Sequence, residues 1–155
     1  MRARRVALFL SLVGAVAVIG CGSGGPPLVK VEGTVTFDGK PLENAELTFV
    51  PDQGNTHVTP GSAVTAADGS YKARYMGRFG LAEGAYKITF RKMEVQPDVT
   101  NMPQEMLDDP AQLELGGFTR QALPEAYADI SKTAFDIQVT ANGGPYDFEL
   151  DSKGR

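Results

Sequence analysis

The sequence has no tryptophan, one histidine and one cysteine, and each shortage removes a class of chemistry. With Cys21 as the lone thiol, no intrachain disulfide can staple the fold, so packing has to hold it. With His57 as the lone imidazole, a His/Cys metal site lacks its ligands and a hydrolytic triad has a single base to draw on. His57 lies in a polar stretch between Pro51 and Pro60, the setting of a solvated loop histidine. Positive charge is also short. Without the first twenty residues, which include Arg2, Arg4 and Arg5, the chain keeps 12 basic and 19 acidic residues, a formal charge of −7. Such a surface repels polyanions, which argues against nucleic acid as a partner. Turn formers, by contrast, are abundant: 18 glycines and 10 prolines with no Gly-X-Y period, as an all-β domain with many turns would use them.

The amino terminus divides into three zones. Met1-Arg2-Ala3-Arg4-Arg5 is basic, residues 6–20 are apolar or small apart from Ser11, and Cys21 follows. This is the layout of a secretory signal peptide. Fifteen helical residues span about 22 Å, short of the roughly 30 Å hydrocarbon core of a bilayer, so the run is too short for a comfortable permanent membrane span. Val18-Ile19-Gly20-Cys21 resembles the lipobox of bacterial lipoproteins. That resemblance implies a diacylglyceryl thioether on Cys21, cleavage before it, and acylation of the new amino group. Two or more acyl chains, at about 0.8 kcal/mol per buried CH₂, anchor a protein stably. Lipidation would also cap a thiol that is otherwise a liability in an oxidising compartment. Residues 21–27 then read as the lipidated cysteine and a tether, flexible through Gly22-Ser23-Gly24-Gly25 and stiff at Pro26-Pro27. Gly at position 22, where an Asp would signal inner-membrane retention by the same resemblance, points to the outer membrane or a periplasmic face. The expected partners are therefore the membrane itself and envelope proteins or polysaccharide.

From Leu28 the pattern has period two. Val29, Val31, Gly33, Val35 and Phe37 alternate with Lys30, Glu32, Thr34 and Thr36, which predicts a half-buried strand. Asp38-Gly39-Lys40-Pro41 breaks it, and Ala45, Leu47 and Phe49 begin a second run ending at Pro51, so the pair reads as two strands joined by a tight turn. Asp68-Gly69 between Ser62-Ala63-Val64-Thr65 and Tyr71-Lys72-Ala73-Arg74-Tyr75 predicts a hairpin. Tyr86, Ile88 and Phe90 share one face of a strand expected in the core. Residues 92–124 hold prolines at 97, 103, 110 and 124 and no sustained strand period, and they read as a long loop insertion with at most a one- or two-turn helix between Pro103 and Leu115. A loop of that length is either functional or disordered. Ala134, Phe135, Ile137 and Val139, then Tyr146, Phe148 and Leu150, predict two closing strands. The expected architecture is all-β, an antiparallel two-sheet sandwich of about seven strands over residues 28–151, preceded by the signal peptide at 1–20.

Four segments taken in order resemble one family: Val31-Glu32-Gly33-Thr34-Val35, Asp38-Gly39-Lys40-Pro41-Leu42-Glu43-Asn44-Ala45, Thr65-Ala66-Ala67-Asp68-Gly69-Ser70-Tyr71, and Leu81-Ala82-Glu83-Gly84-Ala85-Tyr86. They look like the carboxypeptidase regulatory-like, or transthyretin-like (prealbumin-like), domains carried by many small bacterial lipoproteins. The match spans about residues 29–90, and 92–121 departs from it. The resemblance implies a non-catalytic structural, assembly or binding module, and no cofactor. The hydroxyisourate hydrolases that share the architecture use several histidines, an arginine and a Tyr-Arg-Gly-Ser tail, whereas this chain has one histidine and ends Asp151-Ser152-Lys153-Gly154-Arg155.

Other chemistry finds little footing. Glu105, Asp108 and Asp109 form the densest acidic cluster, without the spacing or the glycine of a calcium loop. Lys30 and Asn142 are plausible partners for an intramolecular isopeptide bond of the kind found in adhesin sandwiches, but the strand that should supply the acid, Tyr86-Lys87-Ile88-Thr89-Phe90, has none. Tyr75, Phe79, Phe118 and Tyr127 are the aromatics to consider for a carbohydrate or protein surface, the alternative role being a carbohydrate-binding accessory protein.

Overall fold

The computed structural model describes residues 25–97 and 102–154, so the signal peptide and the lipidation site at Cys21 lie outside the described residues. The period-two segment becomes β1 (Val31–Phe37), with Val31 and Val35 buried. Asp38 and Gly39 both take positive φ, 48° and 76°, and turn the chain into β2 (Lys40–Pro41), which pairs antiparallel with the end of β1. The hairpin stops there. β3 (Glu46–Pro51) belongs to the other sheet, so the expected pairing of the two first alternating runs is corrected: Leu42-Glu43-Asn44-Ala45 carries the chain across the core. Ala45, fully buried, is held at this crossing by the Thr65 hydroxyl, which accepts its N–H at 2.9 Å.

The same sheet exchange recurs around Asp68-Gly69. β4 (Gly61–Val64) pairs with β3, whereas β5 (Ser70–Lys72) pairs with β1, so the turn joins two sheets and the expected simple hairpin is not formed. After Ala73 the chain returns to the sheet of β4 as β6 (Arg74–Tyr75) and turns into β7 (Arg78–Phe79). β8 (Gly84–Arg91) has Tyr86, Ile88 and Phe90 inward, as the alternation predicts, and pairs with β3 along its length. Residues 92–124, expected as a loop, carry β9 (Met93–Val95), two short helices, α1 (Gln104–Leu107) and α2 (Pro110–Leu115), and β10 (Thr119–Gln121), which closes a two-stranded ladder on β9. Pro110 begins α2, where its missing N–H costs nothing, and Asp109 caps it by accepting from the Ala111 and Gln112 N–H groups at 3.0 and 3.2 Å.

β11 (Asp136–Val139) pairs with β8. β12 (Gly144–Pro145) and β13 (Phe148–Leu150) instead run parallel to β1, so the last two alternating segments form no hairpin and the sheet containing β1 is mixed rather than antiparallel. The result is mostly β: a five-stranded sheet of β12, β1, β13, β2 and β5, a six-stranded antiparallel sheet in the order β11-β8-β3-β4-β6-β7, and the β9–β10 ladder. Sheet switching cuts the expected seven or so strands into thirteen shorter ones among the described residues.

Side chains from both larger sheets meet in one core. Phe148 on β13 lies 5.3 Å, centroid to centroid, from Phe90 on β8, and Tyr71 on β5 lies 5.9 Å from Phe49 on β3. The Phe90–Phe148 contact is edge to face, with the rings at 72°, a geometry that adds to the area term of burial. Phe90 also meets Phe135 at 5.2 Å and Tyr127 at 6.4 Å, so the segment after β10 covers one end of the core.

Candidate functional site

Gly33 sits where β12 gives way to β13, opposite Tyr146, and an added Cβ there would fall 2.0 Å from the Tyr146 carbonyl oxygen. The parallel strand bends in toward β1 at this point, and the ladder is maintained by substitutes. The Tyr146 N–H donates to the Glu32 carbonyl at 2.8 Å, and the Asp147 carboxylate accepts both the Thr34 N–H and hydroxyl at 2.7 and 2.8 Å. Tyr71, the register partner of Gly33 on the opposite side, sends its hydroxyl across to the Tyr146 carbonyl at 2.7 Å. Burial first, and then the nearby Asp147 and Tyr146, hold that phenol far above its ordinary range, so it remains a donor. Tyr86 closes a corner of its own: its buried hydroxyl donates to the Ala82 carbonyl at 2.9 Å. Tyr71 and Tyr86 are thus buried fasteners of strand geometry. Asn55 works similarly at the start of β8, its amide exchanging two hydrogen bonds with the Ala85 backbone at 2.7 and 3.0 Å. Nothing in the sequence pattern marks Asn55 for this role, because its partner lies thirty positions away.

The residues considered for chemistry are dispersed. His57 is half-buried in the loop between β3 and β4, and no described residue hydrogen-bonds its ring. Asp109 is engaged as a helix cap, and its hydrogen bonds, the Gln112 side chain foremost, hold its carboxyl below the ordinary range. Among the described residues no group of three His, Cys, Asp or Glu is gathered to hold a metal ion. The Lys30 backbone does come beside Gly144, whose N–H reaches its carbonyl, but the Lys30 side chain is 76% exposed and ion-paired with Glu32. Buried polar residues near it are wanting, since Thr65 and Thr133 are the buried polar residues of the described core. The four aromatics considered for a binding surface divide sharply. Tyr75 and Tyr127 are buried, Phe118 is half-buried, and Phe79 alone is open, at 62% exposure.

Phe79 marks the most distinctive surface. It separates two shallow grooves, one lined by Ser62, Val64, Tyr71, Lys72 and Arg74, the other by Lys30, Glu32, Lys72 and Gly80. The Arg74 guanidinium lies over its ring, 4.2 Å from the centroid. The β6–β7 turn beyond it consists of Met76 and Gly77, both at positive φ, 48° and 80°, as a two-residue hairpin loop requires. Met76 is 76% exposed. The chain joins the domain beside this hairpin: Val29 and Leu81 exchange backbone hydrogen bonds at 2.7 and 3.0 Å, Pro26 is buried, and an added Cβ on Gly25 would meet the Arg78 guanidinium. This arrangement offers cations, apolar side chains and shallow concavity, which suits adhesion to a surface.

Comparison with protein-family models gives no match, and comparison with curated protein sequences gives none. Among solved structures, a 9R-lipoxygenase from Cyanothece aligns over 80% of this chain at 23% identity with a TM-score of 0.35, and the chain spans 16% of that protein's length. A likeness that low carries no functional reading.

Proposed function

We propose that the chain is an exported lipoprotein, anchored to an envelope membrane through acylated Cys21, whose transthyretin-like β-sandwich has a non-catalytic role in structure, assembly or ligand and protein binding. The observation that carries this reading is Val18-Ile19-Gly20-Cys21 at the end of a fifteen-residue apolar run with a basic start. Its company supports it: the first backbone pairing of the described domain, Val29 with Leu81, comes eight residues beyond the cysteine. The sheet exchanges at residues 42–45 and 66–69 and the buried hydroxyls of Tyr71 and Tyr86 support the finer fold, because the family-like motifs act there as folding determinants. A single histidine without an acid partner among the described residues supports a non-catalytic role. The carbohydrate-binding alternative has less to stand on, since three of its four aromatics are wholly or partly covered.

Intact mass spectrometry of the protein purified from membranes tests this directly. The expected result is a chain beginning at residue 21 with added acyl mass, and loss of both the cleavage and the added mass in Cys21→Ala. A wild-type chain without acyl mass, or one cut elsewhere, would sink the lipoprotein reading in favour of a freely secreted domain.

A further inference from the structure

We propose that the β6–β7 hairpin is a second membrane contact: it seats the domain on the anionic headgroups of the bilayer that holds the lipid, with Met76 and Phe79 in the interface and Lys72, Arg74 and Arg78 on the phosphates. This rests on the lipoprotein reading and adds to it a face, an orientation and a lipid class.

Charge is the first reason. Residues 72–79 hold three cations and no acid in a chain whose part after residue 20 carries −7. Among the described residues none of the three is ion-paired; Lys40, Lys87, Arg120 and Lys153 are also without an ion pair, but they are scattered over other elements, whereas Lys72, Arg74 and Arg78 fall within seven residues. Unpaired cations gathered on one hairpin, Arg74 and Arg78, and on the strand that leads into it, Lys72, match a negative surface in an acidic protein. Of the acids at this end, Glu32 stands opposite Lys72 on β1 and is ion-paired with Lys30, while Asp52 and Glu83 lie outside the hairpin.

Apolar exposure is the second. Met76 and Phe79 are 76% and 62% exposed on that hairpin, and Val64, at 60%, faces the same groove as Phe79 and Arg74. Met76 holds a left-handed position that favours Gly, Asn or Asp, so a long apolar side chain is displayed there against the backbone's preference.

Chain length is the third. From Cys21 to Gly25 is four residues, at most about 14 Å fully extended. Gly25 abuts the Arg78 guanidinium. An acyl group on Cys21 therefore keeps this end of the domain within reach of the headgroups. Strand direction agrees: β1 and β8 start at this end and β3 finishes there, while the Asp38-Gly39 turn lies at the opposite end of β1. Interfacial burial of a few apolar side chains beside basic residues is the ordinary means by which a surface-bound segment holds a membrane.

The test uses the mature acylated protein in vesicles of phosphatidylglycerol and phosphatidylcholine. Because acylation occupies the only native thiol, Met76→Cys introduces a single free one for an environment-sensitive fluorophore, and Lys40→Cys does the same at the opposite end. Nitroxide lipids labelled near the headgroup are expected to quench the label at 76 and to leave the label at 40 untouched. Replacing Arg74 and Arg78 by Gln should lower the docked-to-undocked ratio about fivefold for each charge. Equal quenching at 76 and 40, a label at 76 that stays in water, or quenching as strong in neutral vesicles would overturn the proposal. Failure of the lipoprotein reading looks different: no acyl mass, a second reactive thiol at Cys21 and no flotation with vesicles, and it would take the seating proposal with it.

Discussion

Replacing Gly33 by Ala should destabilise the domain, although Ala is ordinarily the better strand residue by roughly 0.5–1 kcal/mol. The new Cβ would lie 2.0 Å from the Tyr146 oxygen and 2.6 Å from its carbonyl carbon, where ordinary contact begins at 3.4 Å. Backbone cannot swing aside as a side-chain tip can, so the 146–147 segment has to retreat by more than 1 Å. That retreat stretches the Tyr146 N–H bond to Glu32 and the Tyr71 hydroxyl bond to Tyr146, now 2.8 and 2.7 Å. Two lost hydrogen bonds at about 1 kcal/mol each, with overpacking of about 1–3 kcal/mol partly overlapping them, give a cost of about 2–4 kcal/mol. For a domain of this size the Tm should fall by roughly 8–15 °C, measured by thermal unfolding followed by circular dichroism. Gly54→Ala is the control, since its added Cβ would meet only the Asp52 carboxylate, at an ordinary 3.6 Å. A Gly33→Ala protein with unchanged or raised Tm would refute the close approach of β1 and the C-terminal strand.

Two further outcomes follow from the core and the loops. Phe90→Ala removes a fully buried ring that touches Tyr127, Phe135 and Phe148, and should cost about 3–5 kcal/mol in urea unfolding, with near-ultraviolet circular dichroism reporting the loosened rings. The Asp129 carboxyl, held down to about 2 by the Ser131 side chain first and Lys132 next, should titrate by NMR well below the ordinary 3.8, and Ser131→Ala should raise it. Because the folded value is the depressed one, this group's contribution to stability is present above pH 3.8 and is lost as pH falls toward 2. The sign reverses only if the measured folded value lies above the unfolded one.

Alternation read the strands well wherever one face is buried. Val31 and Val35, Leu47 and Phe49, and Tyr86, Ile88 and Phe90 all turn inward as their period demands, because burial of every second residue is a local constraint that a sequence carries openly. The sequence allows at most a one- or two-turn helix between Pro103 and Leu115; the structure has two short helices there, and Pro110 begins the second behind the Asp109 cap. Strand partners were not legible. Asp38-Gly39 and Asp68-Gly69 are genuine turns, but the first keeps the chain in the sheet of β1 through β2 and the second hands it to the opposite sheet, and a turn's local chemistry is the same whichever sheet the next strand joins. β9 and β10 escaped notice because their alternation lasts only three residues each and their ladder joins segments more than twenty positions apart.

The candidate surface divides the same way. Its cations carry no mark in the sequence, because nothing local shows that the strands around Met76-Gly77 form an exposed hairpin, and Tyr75, Phe79, Phe118 and Tyr127 look equivalent there. The fold covers Tyr75 and Tyr127, leaves Phe118 half-buried, and exposes Phe79 beside Arg74 and the point where the chain enters the domain. By itself the sequence determined an all-β domain without disulfides, its inward-facing residues and its turns, since each follows from composition or from neighbours a few bonds apart. The tertiary structure alone decided that the C-terminal strand lies parallel to the first and that Gly33 must stay bare. Those outcomes depend on residues more than a hundred positions apart meeting at one point, and no local pattern records such a meeting.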